Sequence, residues 1–486
     1  MKFSLPKMEL KSVPDYKILI NVGAGLDIPT GEWVPGVHGE SILNGGVGSI
    51  NSIVGKGNVF KSTLLHYITL SAASRIDAVA DTRIDTHDTE TNISPSRLVS
   101  LSRGVEGFKD RNIIQEGIWN ITDKSICLGN VWFEERKKFL EQKAKLGDKL
   151  LVKTPILSFD KKTPISICLP TFNQIDSLSE FQTEADAKMQ EDNELGDSGA
   201  NTAFLKQNMA KTRLLSEIAR ISTPVSDYSF LTAHINRAVD MNTGPVHTPP
   251  DRKLQMLKHG DKLKGVSGNF TFLCTNVWYA VSASPLINKE SKSPEYPSGP
   301  EDDFAGNTDL QIVTLKQLRG KSGPTGMDQD IVVSQKEGVL PTLTEFHFIK
   351  SAGRFGIEGN NSTYNLIFCP DIKISRNTVR RKIKEHPELA RAINLTSELL
   401  QMHFLHFHLL AGKTIDAKQI FEILSARGYD WNILLSTRGY WVLDTDKKHP
   451  QEFLSTMDVI NMCLPTTHPE FYVPYWYDKS TLKLDI

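Results

Sequence analysis

A glycine-containing loop between two predicted regular elements constrains the fold of this chain most strongly. Residues 53–63 read IVGKGNVFKST. Residues 49–54 (SINSIV) predict a short buried strand, and residues 62–74 (STLLHYITLSAAS) carry apolar residues at helical spacing. Between them, residues 55–62 have the spacing of the phosphate-binding pattern G-x-x-x-x-G-K-[ST], with Phe60 in the place of the second glycine. Strand, loop and helix therefore follow in the order that a phosphate-binding α/β fold requires.

The loop has the residue types that hold phosphates. In such a loop, backbone N–H groups and a helix N-terminus point at the phosphates, a lysine adds positive charge and a hydroxyl ligates Mg²⁺; Lys61 and Ser62 supply the last two. Phe60 matters only if its position needs a positive φ or must lie against a phosphate. The predicted nucleotide-binding residues are Gly55, Gly57, Asn58, Val59, Phe60, Lys61, Ser62 and Thr63. The pattern alone leaves a second interpretation open, a glycine-rich turn that enters a helix.

Composition excludes several classes of protein. The 486 residues include 56 Lys and Arg and 57 Asp and Glu, so the chain as a whole is not a basic nucleic-acid binder. The five cysteines are scattered without a C-x-x-C pair, which argues against a disulfide framework or zinc cage and favours a reducing compartment. No apolar run approaches the ~18 residues of a membrane span, and no signal segment opens the chain. We therefore expect a cytoplasmic protein without a membrane partner.

Strands alternate with helices through the first three hundred residues, which predicts an α/β fold with a mainly parallel central sheet. Beyond the loop helix, the patterns predict strands within 75–90, 171–181, 227–235, 270–283 and 310–318, a hairpin at 154–170 and a helix at 201–222. Two polar stretches, 182–199 and 236–268, hold too few apolar residues to form core, and we expect them to be mobile loops.

Changes in composition along the chain predict its domains. Residues 1–20 form an N-terminal segment that could act as a subunit-packing arm, and residues 21–345 form the α/β core. Segments near 100–165 and 284–308 are interpreted as insertions in that core. From about residue 370 the pattern is mostly helical with an aromatic-rich tail, so residues 346–486 are predicted to form a smaller α+β domain.

Four further stretches carry a resemblance to a known family. HDTETNISPSRL (87–98) resembles the end of the second strand in the RecA/UvsX recombinase family, and NELGDSGANTAFLKQNMAKT (193–212) resembles the first DNA-binding loop of that family. FLTAHINRA (230–238) is similar to the strand that ends in the family's γ-phosphate sensor, and NVFKS (58–62) looks like the loop of the phage UvsX branch. The resemblance covers roughly residues 20–340, and its specificity lies in the order of the motifs.

The resemblance implies a role for each of several polar residues. Glu90 is the implied general base that polarises the attacking water, and Asp176 is the implied magnesium-side aspartate. His234 takes the position of the γ-phosphate sensor. Arg97 stands where the family stacks an aromatic side chain on the adenine, and a guanidinium plane can stack as well.

The resemblance also implies two DNA-binding loops. The implied DNA-binding residues are Gly196, Asp197 and Ser198 in the first loop and Lys253, Lys258, Lys262 and Lys264 in the second. Lys316 and Arg319 lie near where the family places cations that reach the ATP of a neighbouring subunit.

The implied activity is that of a DNA-dependent ATPase with ATP and Mg²⁺ as cofactors. Such a protein would form filaments on single-stranded DNA and promote homologous pairing and strand exchange with duplex DNA, in the host cytoplasm if a phage encodes it. Two alternatives stay open. One is a hexameric replicative helicase with a RecA-like motor, and the other is a RecA-like ATPase, or a scaffold without turnover, that is not a recombinase.

Overall fold

The structure is a computed structural model, and it describes residues 15–76, 82–184, 186–188, 200–237, 261–264, 266, 270–443 and 451–483. The strands are β1 (Glu32–Pro35), β2 (Ser41–Asn44), β3 (Ile50–Gly55), β4 (Ile84–Asp88), β5 (Trp119–Asp123), β6 (Leu151–Leu157), β7 (Pro164–Cys168), β8 (Thr171–Asp176), β9 (Asp227–Arg237), β10 (Asp261–Leu263), β11 (Asn276–Pro285), β12 (Leu310–Gly320), β13 (Asp328–Ser334), β14 (Gly338–Val339), β15 (Ile357–Gly359), β16 (Tyr364–Leu366) and β17 (Cys369–Ile374). The helices are α1 (Asp27–Thr30), α2 (Lys61–Ser74), α3 (Pro95–Ser102), α4 (Gly129–Leu146), α5 (Ala200–Ser222), α6 (Phe270–Leu273), α7 (Pro341–Ser351), α8 (Val379–Glu385), α9 (Pro387–Leu405), α10 (Ala417–Ala426), α11 (Trp431–Leu435) and α12 (Thr456–Asn461).

In the described part of the chain, a ten-stranded mixed sheet forms the centre, in the order β14-β13-β12-β11-β3-β9-β8-β4-β5, with β10 paired to β9. Neighbouring strands from β11 through β5 run parallel, whereas β12, β13 and β14 add an antiparallel edge. The predicted α/β class and its mainly parallel sheet are therefore confirmed. Parallel sheets carry helices on both faces, which explains why every residue of β3 and of β8 is buried.

Strand β8 has polar residues in its interior, yet it lies in the middle of the sheet. Asn173 donates from Nδ2 to Asp227 Oδ2 and to Ser229 Oγ, each at 2.9 Å. Gln174 donates from Nε2 to Thr69 Oγ1 of α2 at 2.6 Å. Buried polar groups cost little once they are hydrogen-bonded, so the bonded groups of these two amides are compatible with a central strand, whereas Asn173 Oδ1 has no partner among the described residues.

The segment 100–165, predicted as an insertion, contributes to the main sheet. Its strand β5 pairs in parallel with β4 and forms one edge. Its helix α4 carries the buried Arg136, whose guanidinium bonds the carboxylates of Asp85 in β4 and Asp227 in β9. The predicted hairpin at 154–170 is present as the pair β6-β7, which forms a separate small sheet.

The strand predicted over residues 270–283 begins later than expected. Residues 270–273 form the short helix α6, and β11 starts at Asn276. Phe270 and Cys274 are both fully buried, and the Cys274 amide donates to Phe270 O at 3.3 Å. Their spacing of four residues places both side chains on one helical face, so the start of this apolar run was wrongly assigned to the strand.

The C-terminal part shares its core with the sheet. Helix α7 crosses residue 345, where the sequence predicts a domain boundary. One apolar cluster joins Val332 of β13 and Phe346 of α7 to Leu399 of α9. The same cluster takes in residues near the N-terminus, Ile28 and Leu43. The division at 345 stays a proposal.

Within the described part of the chain, no helix is long and apolar enough to cross a membrane.

Candidate functional site

The carboxyl ends of four central parallel strands meet at one edge of the sheet. In the register of the sheet Gly55 of β3 lies beside His234 of β9, and Asp88 of β4 lies beside Asp176 of β8. Strands β9 and β8 are themselves neighbours. The edge therefore brings the glycine loop together with two acids and a histidine that are far apart in sequence.

The loop after β3 exposes backbone donors to this edge. The first amides of an α-helix have no acceptor within the helix, and α2 begins at Lys61, directly after the loop. Asn58 and Phe60 have positive φ values of 57° and 59°. A Cβ on Gly57 would meet no atom of the described residues within 4 Å, so this side of the loop is open among them. Successive amides in such a turn form a concavity that binds anions.

Phe60 adopts the left-handed conformation that the pattern usually assigns to glycine. The residue immediately precedes α2 with φ 59° and ψ 25°. Its ring is partly buried against the apolar cluster around α2. A left-handed backbone costs a residue other than glycine roughly 1–2 kcal/mol, and burial of the ring offsets this cost.

We predict that Phe60→Gly is more stable than Phe60→Ala by roughly 0.5–1 kcal/mol. Both substitutions remove the ring, but only glycine relieves the left-handed strain of roughly 1–2 kcal/mol. The greater conformational entropy of glycine in the unfolded state lowers this gain in stability by roughly 0.5–1 kcal/mol. Urea denaturation of the two variants measures the difference. Alanine is ordinarily the more stabilising of the two, so an alanine variant equal to or above the glycine variant would contradict the conformation of Phe60.

Lys61 faces the acids of the site. It is 8% exposed, and its Nζ donates to Lys56 O of the loop at 2.6 Å. Burial lowers the pKa of Lys61, and the nearby carboxylates of Asp176 and Glu90 oppose that shift. Ser62 is exposed and Thr63 is half-buried in the first turn of α2. The ammonium group is therefore held at the loop and close to both carboxylates.

Asp176 has one engaged and one unengaged carboxylate oxygen. The residue ends β8 and is 5% exposed. Its Oδ1 accepts a hydrogen bond from Thr232 Oγ1, whereas its buried Oδ2 has no hydrogen-bond partner among the described residues. A buried carboxylate oxygen without a partner is costly unless a cation or a water satisfies it. Hard oxygen ligands of this kind, with the Ser62 hydroxyl, fit Mg²⁺.

Glu90 and His234 form a close pair across the edge. Glu90 Oε1 lies 2.9 Å from His234 Nε2, and Asn92 Nδ2 donates to Glu90 Oε2 at 3.3 Å. The hydrogen bond from His234 lowers the pKa of Glu90 to about 2. In this arrangement the carboxylate is ionised and weakly basic, so it is better suited to orient a water than to remove its proton.

Asp88 supports the loop that carries Glu90. Its Oδ1 accepts from the amide of Glu90 at 3.0 Å, and its Oδ2 accepts from the amides of Asn92 and Ile93 at 2.9 and 2.8 Å. These bonds fix the chain just after β4. Asp88 therefore shapes the loop, whereas Glu90, two residues later, faces His234.

The predicted base-stacking and subunit-contact residues have partners of their own. Arg97, on α3, donates to Lys336 O at 2.5 Å and to Gln335 O at 2.6 Å. Lys316 lies 3.2 Å from Asp328, and the guanidinium of Arg319 lies 5.5 Å from the centre of the Phe272 ring. The roles implied for these three residues stay predictions.

Most of the residues predicted to contact DNA lie outside the described residues. These are Gly196, Asp197, Ser198, Lys253 and Lys258. Lys262 belongs to β10, and its side chain is outside the described part as well. Lys264 is described, and its Nζ donates to Glu180 Oε1 at 2.6 Å. The expectation that all of 236–268 is a loop is wrong at residues 261–263, which form β10 against β9, and DNA contact by both stretches stays a prediction.

Sequence reasoning missed two residues that contact the site, Thr232 and Ser179. Thr232 precedes His234 by two residues on β9, and alternation along a strand places both side chains on one face. That spacing could have identified Thr232. Ser179 accepts the His234 amide at 2.9 Å. No periodic signal points to this contact, since it joins a turn to a strand 55 residues away.

Comparison with known proteins gives little further information. No protein-family model and no curated protein matches the chain. Among solved structures, the crystal structure of the RadB recombinase matches 60% of this chain and 90% of its own, with 13% sequence identity and a TM-score of 0.29. A match at that TM-score carries no argument about the fold or the function of this protein.

Proposed function

We propose that this protein is a Mg²⁺-dependent ATPase that acts on DNA as a recombinase. One observation carries the ATPase half of the proposal. The loop that ends in Lys61, the unengaged oxygen of Asp176 and the pair of Glu90 and His234 lie together at the carboxyl edge of the parallel sheet. This edge is where open α/β sheets bind their ligands.

The loop and Lys61 would bind the phosphates of ATP. The open amides of the loop and the N-terminus of α2 favour anions, and the Lys61 ammonium adds a full positive charge beside them. Among the described residues, Lys56 O alone holds that ammonium by a hydrogen bond, so its remaining protons are available to phosphate oxygens.

Ser62 and Asp176 would hold Mg²⁺, which when bound neutralises charge on the phosphates. Glu90 would orient the water that attacks the terminal phosphate, and His234 would hold Glu90 in place. Because His234 lies beside Gly55 in the sheet, the same imidazole would lie near a phosphate bound at the loop. Contact with that phosphate would loosen its bond to Glu90 and raise the basicity of the carboxylate.

The recombinase half of the proposal rests on the order of the sequence motifs. We infer that the segments 182–199 and 236–268 bind single-stranded DNA, that the protein forms filaments on it, and that these filaments pair with homologous duplex DNA. Binding would be mainly to the phosphate backbone and therefore tolerant of sequence and sensitive to salt.

Two measurements test the proposal. ATP hydrolysis is followed with Mg²⁺ and with an excess of chelator, each with and without single-stranded DNA, and we expect turnover only with Mg²⁺. Electron microscopy with ATP and single-stranded DNA should show filaments. Rings would favour the helicase alternative, and a protein without turnover in any condition would overturn the ATPase proposal.

Neutralising the lysines of the second predicted DNA loop should weaken binding to single-stranded DNA and flatten its salt dependence. Each lysine that neutralises a phosphate adds up to ~0.7 to the slope of log affinity against log salt on single strands. We expect replacement of Lys253, Lys258, Lys262 and Lys264 by glutamine to lower the slope while ATP binding is retained. Affinity across a salt series measures it.

A matched variant separates this effect from net charge. The exposed lysines Lys124, Lys145, Lys149 and Lys153 carry the same charge and lie outside the predicted loops. Their replacement should leave the slope unchanged. Equal slopes for the wild type and both variants would remove the DNA-binding half of the proposal.

A further inference from the structure

A serine just beyond the end of β8 joins three segments of the chain near the candidate site. Ser179 lies in the short turn Leu178–Glu180 that follows β8. Its hydroxyl accepts the amide of His234 at 2.9 Å and donates to Lys264 O at 2.9 Å. The amide of Lys264 in turn donates to His234 O at 2.8 Å. The backbone of His234 is therefore held on both its donor and its acceptor side.

The carbonyl of the same serine is held by a buried lysine. Lys211 of α5 is 1% exposed, and its Nζ donates to Ser179 O at 3.3 Å. The charged groups around Lys211 are Asp186, Glu180 and Lys264. Burial lowers the pKa of Lys211 to about 8. A lysine is rarely fully buried unless its ammonium has a specific partner, so this contact fixes α5 against the turn at Ser179.

Two successive contacts connect Ser179 to Glu90, with His234 between them. Ser179 fixes the backbone of His234, and the His234 imidazole lies 2.9 Å from Glu90. Neither Ser179 nor Lys211 touches the loop or Asp176 through a hydrogen bond that the structure describes. A shift of Ser179 would thus move His234 relative to Glu90 and leave the phosphate-binding elements in place.

We propose that Ser179, braced by Lys211, is a positioning residue that sets His234 opposite Glu90 for hydrolysis. The inference rests on the proposed ATPase function and extends it, since it names residues that control turnover without contacting nucleotide. It also predicts that a displacement of α5 changes the rate of hydrolysis through Ser179.

The test is steady-state ATP hydrolysis together with direct measurement of nucleotide affinity. Ser179→Ala should lower kcat about 10- to 100-fold, since misplacement of a reacting group by about 1 Å can cost ~10²-fold, whereas KM and nucleotide affinity stay near the wild-type values. Ser179→Thr keeps the hydroxyl and should restore most of kcat. Lys211→Met removes the ammonium at similar length and should lower kcat in the same way.

Substitution of a second buried serine, Ser455, serves as the control for a general loss of stability. Ser455 is fully buried, and its hydroxyl accepts the Asp458 amide at 3.0 Å, the same type of bond in the C-terminal part. Ser455→Ala should leave kcat unchanged. If Ser179→Ala does not fold, Ser179→Cys offers a weaker acceptor of similar size and should give an intermediate kcat.

The outcomes separate this inference from the proposed function. If the wild-type protein hydrolyses ATP and Lys61→Ala does not, but a folded Ser179→Ala or Ser179→Cys turns over at the wild-type rate, the inference is wrong and the ATPase proposal stands. A rise in KM with unchanged kcat would likewise overturn it, as would an equal fall of kcat in Ser455→Ala. A wild-type protein without turnover would overturn the ATPase proposal itself.

Discussion

We expect Lys61→Ala to abolish ATP hydrolysis while the fold stays intact. The Lys61 ammonium is fixed at the loop by its bond to Lys56 O and faces Asp176 and Glu90, so it supplies charge at the place where phosphate charge would accumulate. Removing one positioned donor to a developing charge typically costs about 10²–10³ in kcat, and this lysine would also contribute to binding. Turnover of the purified variant, with circular dichroism as the check on folding, measures the effect.

Folding should survive because the lysine contributes charge rather than packing. Alanine is a good residue for the first position of a helix. Replacing Lys61 by alanine also removes an ammonium group whose charged form is destabilised by burial. Lys56→Ala is the matched control, since this neighbouring lysine is exposed and contributes its carbonyl rather than its side chain. A folded Lys61→Ala protein with unchanged turnover would remove the phosphate-binding role of the loop.

Glu90→Gln should bind nucleotide normally and lose most hydrolysis. The amide can still hydrogen-bond a water and His234, but it has no negative charge. It also cannot take a proton, even when contact of His234 with bound phosphate would raise the basicity of the carboxylate in the wild type. Assistance by a general base is typically worth ~10²–10⁴-fold, and we expect a fall in kcat within that range. Single-turnover hydrolysis and nucleotide affinity, measured on the same preparation, separate chemistry from binding.

Glu422→Gln provides the control for this change, because Glu422 is an exposed glutamate on α10, away from the site. A loss of only a few-fold in Glu90→Gln would show that another acid activates the water. Asp88 would be the first to reconsider, although three backbone amides already occupy its carboxylate.

Local patterns predicted the parts of the site that depend on short segments of sequence. The strand, loop and helix around Gly55 to Ser62 follow from spacing alone, and they occur where predicted. The left-handed backbone of Phe60 could not be predicted in this way. It depends on how the ring packs against the cluster around α2, which is a tertiary contact.

Long-range hydrogen bonds account for most features of the fold and the site that could not be predicted from the sequence. Asn173 and Gln174 interrupt the apolar run of β8, and their partners, Asp227 and Thr69, lie 54 and 105 residues away. Ser179 gave no signal for the same reason. The start of β11 was misplaced since a short apolar run fits a buried helix turn as well as a strand.

The shared core of the two ends of the chain has a consequence for synthesis on the ribosome. Ser41 donates its amide to Asp458 Oδ1 at 2.7 Å, across 417 residues, and His406 Nε2 lies 3.1 Å from Ile28 O. At about 5–20 residues per second, roughly 20–80 s separate the synthesis of Ser41 from that of Asp458. During that interval the apolar side chains near the N-terminus lack their C-terminal packing partners. This segment is therefore one that chaperones of nascent chains would protect.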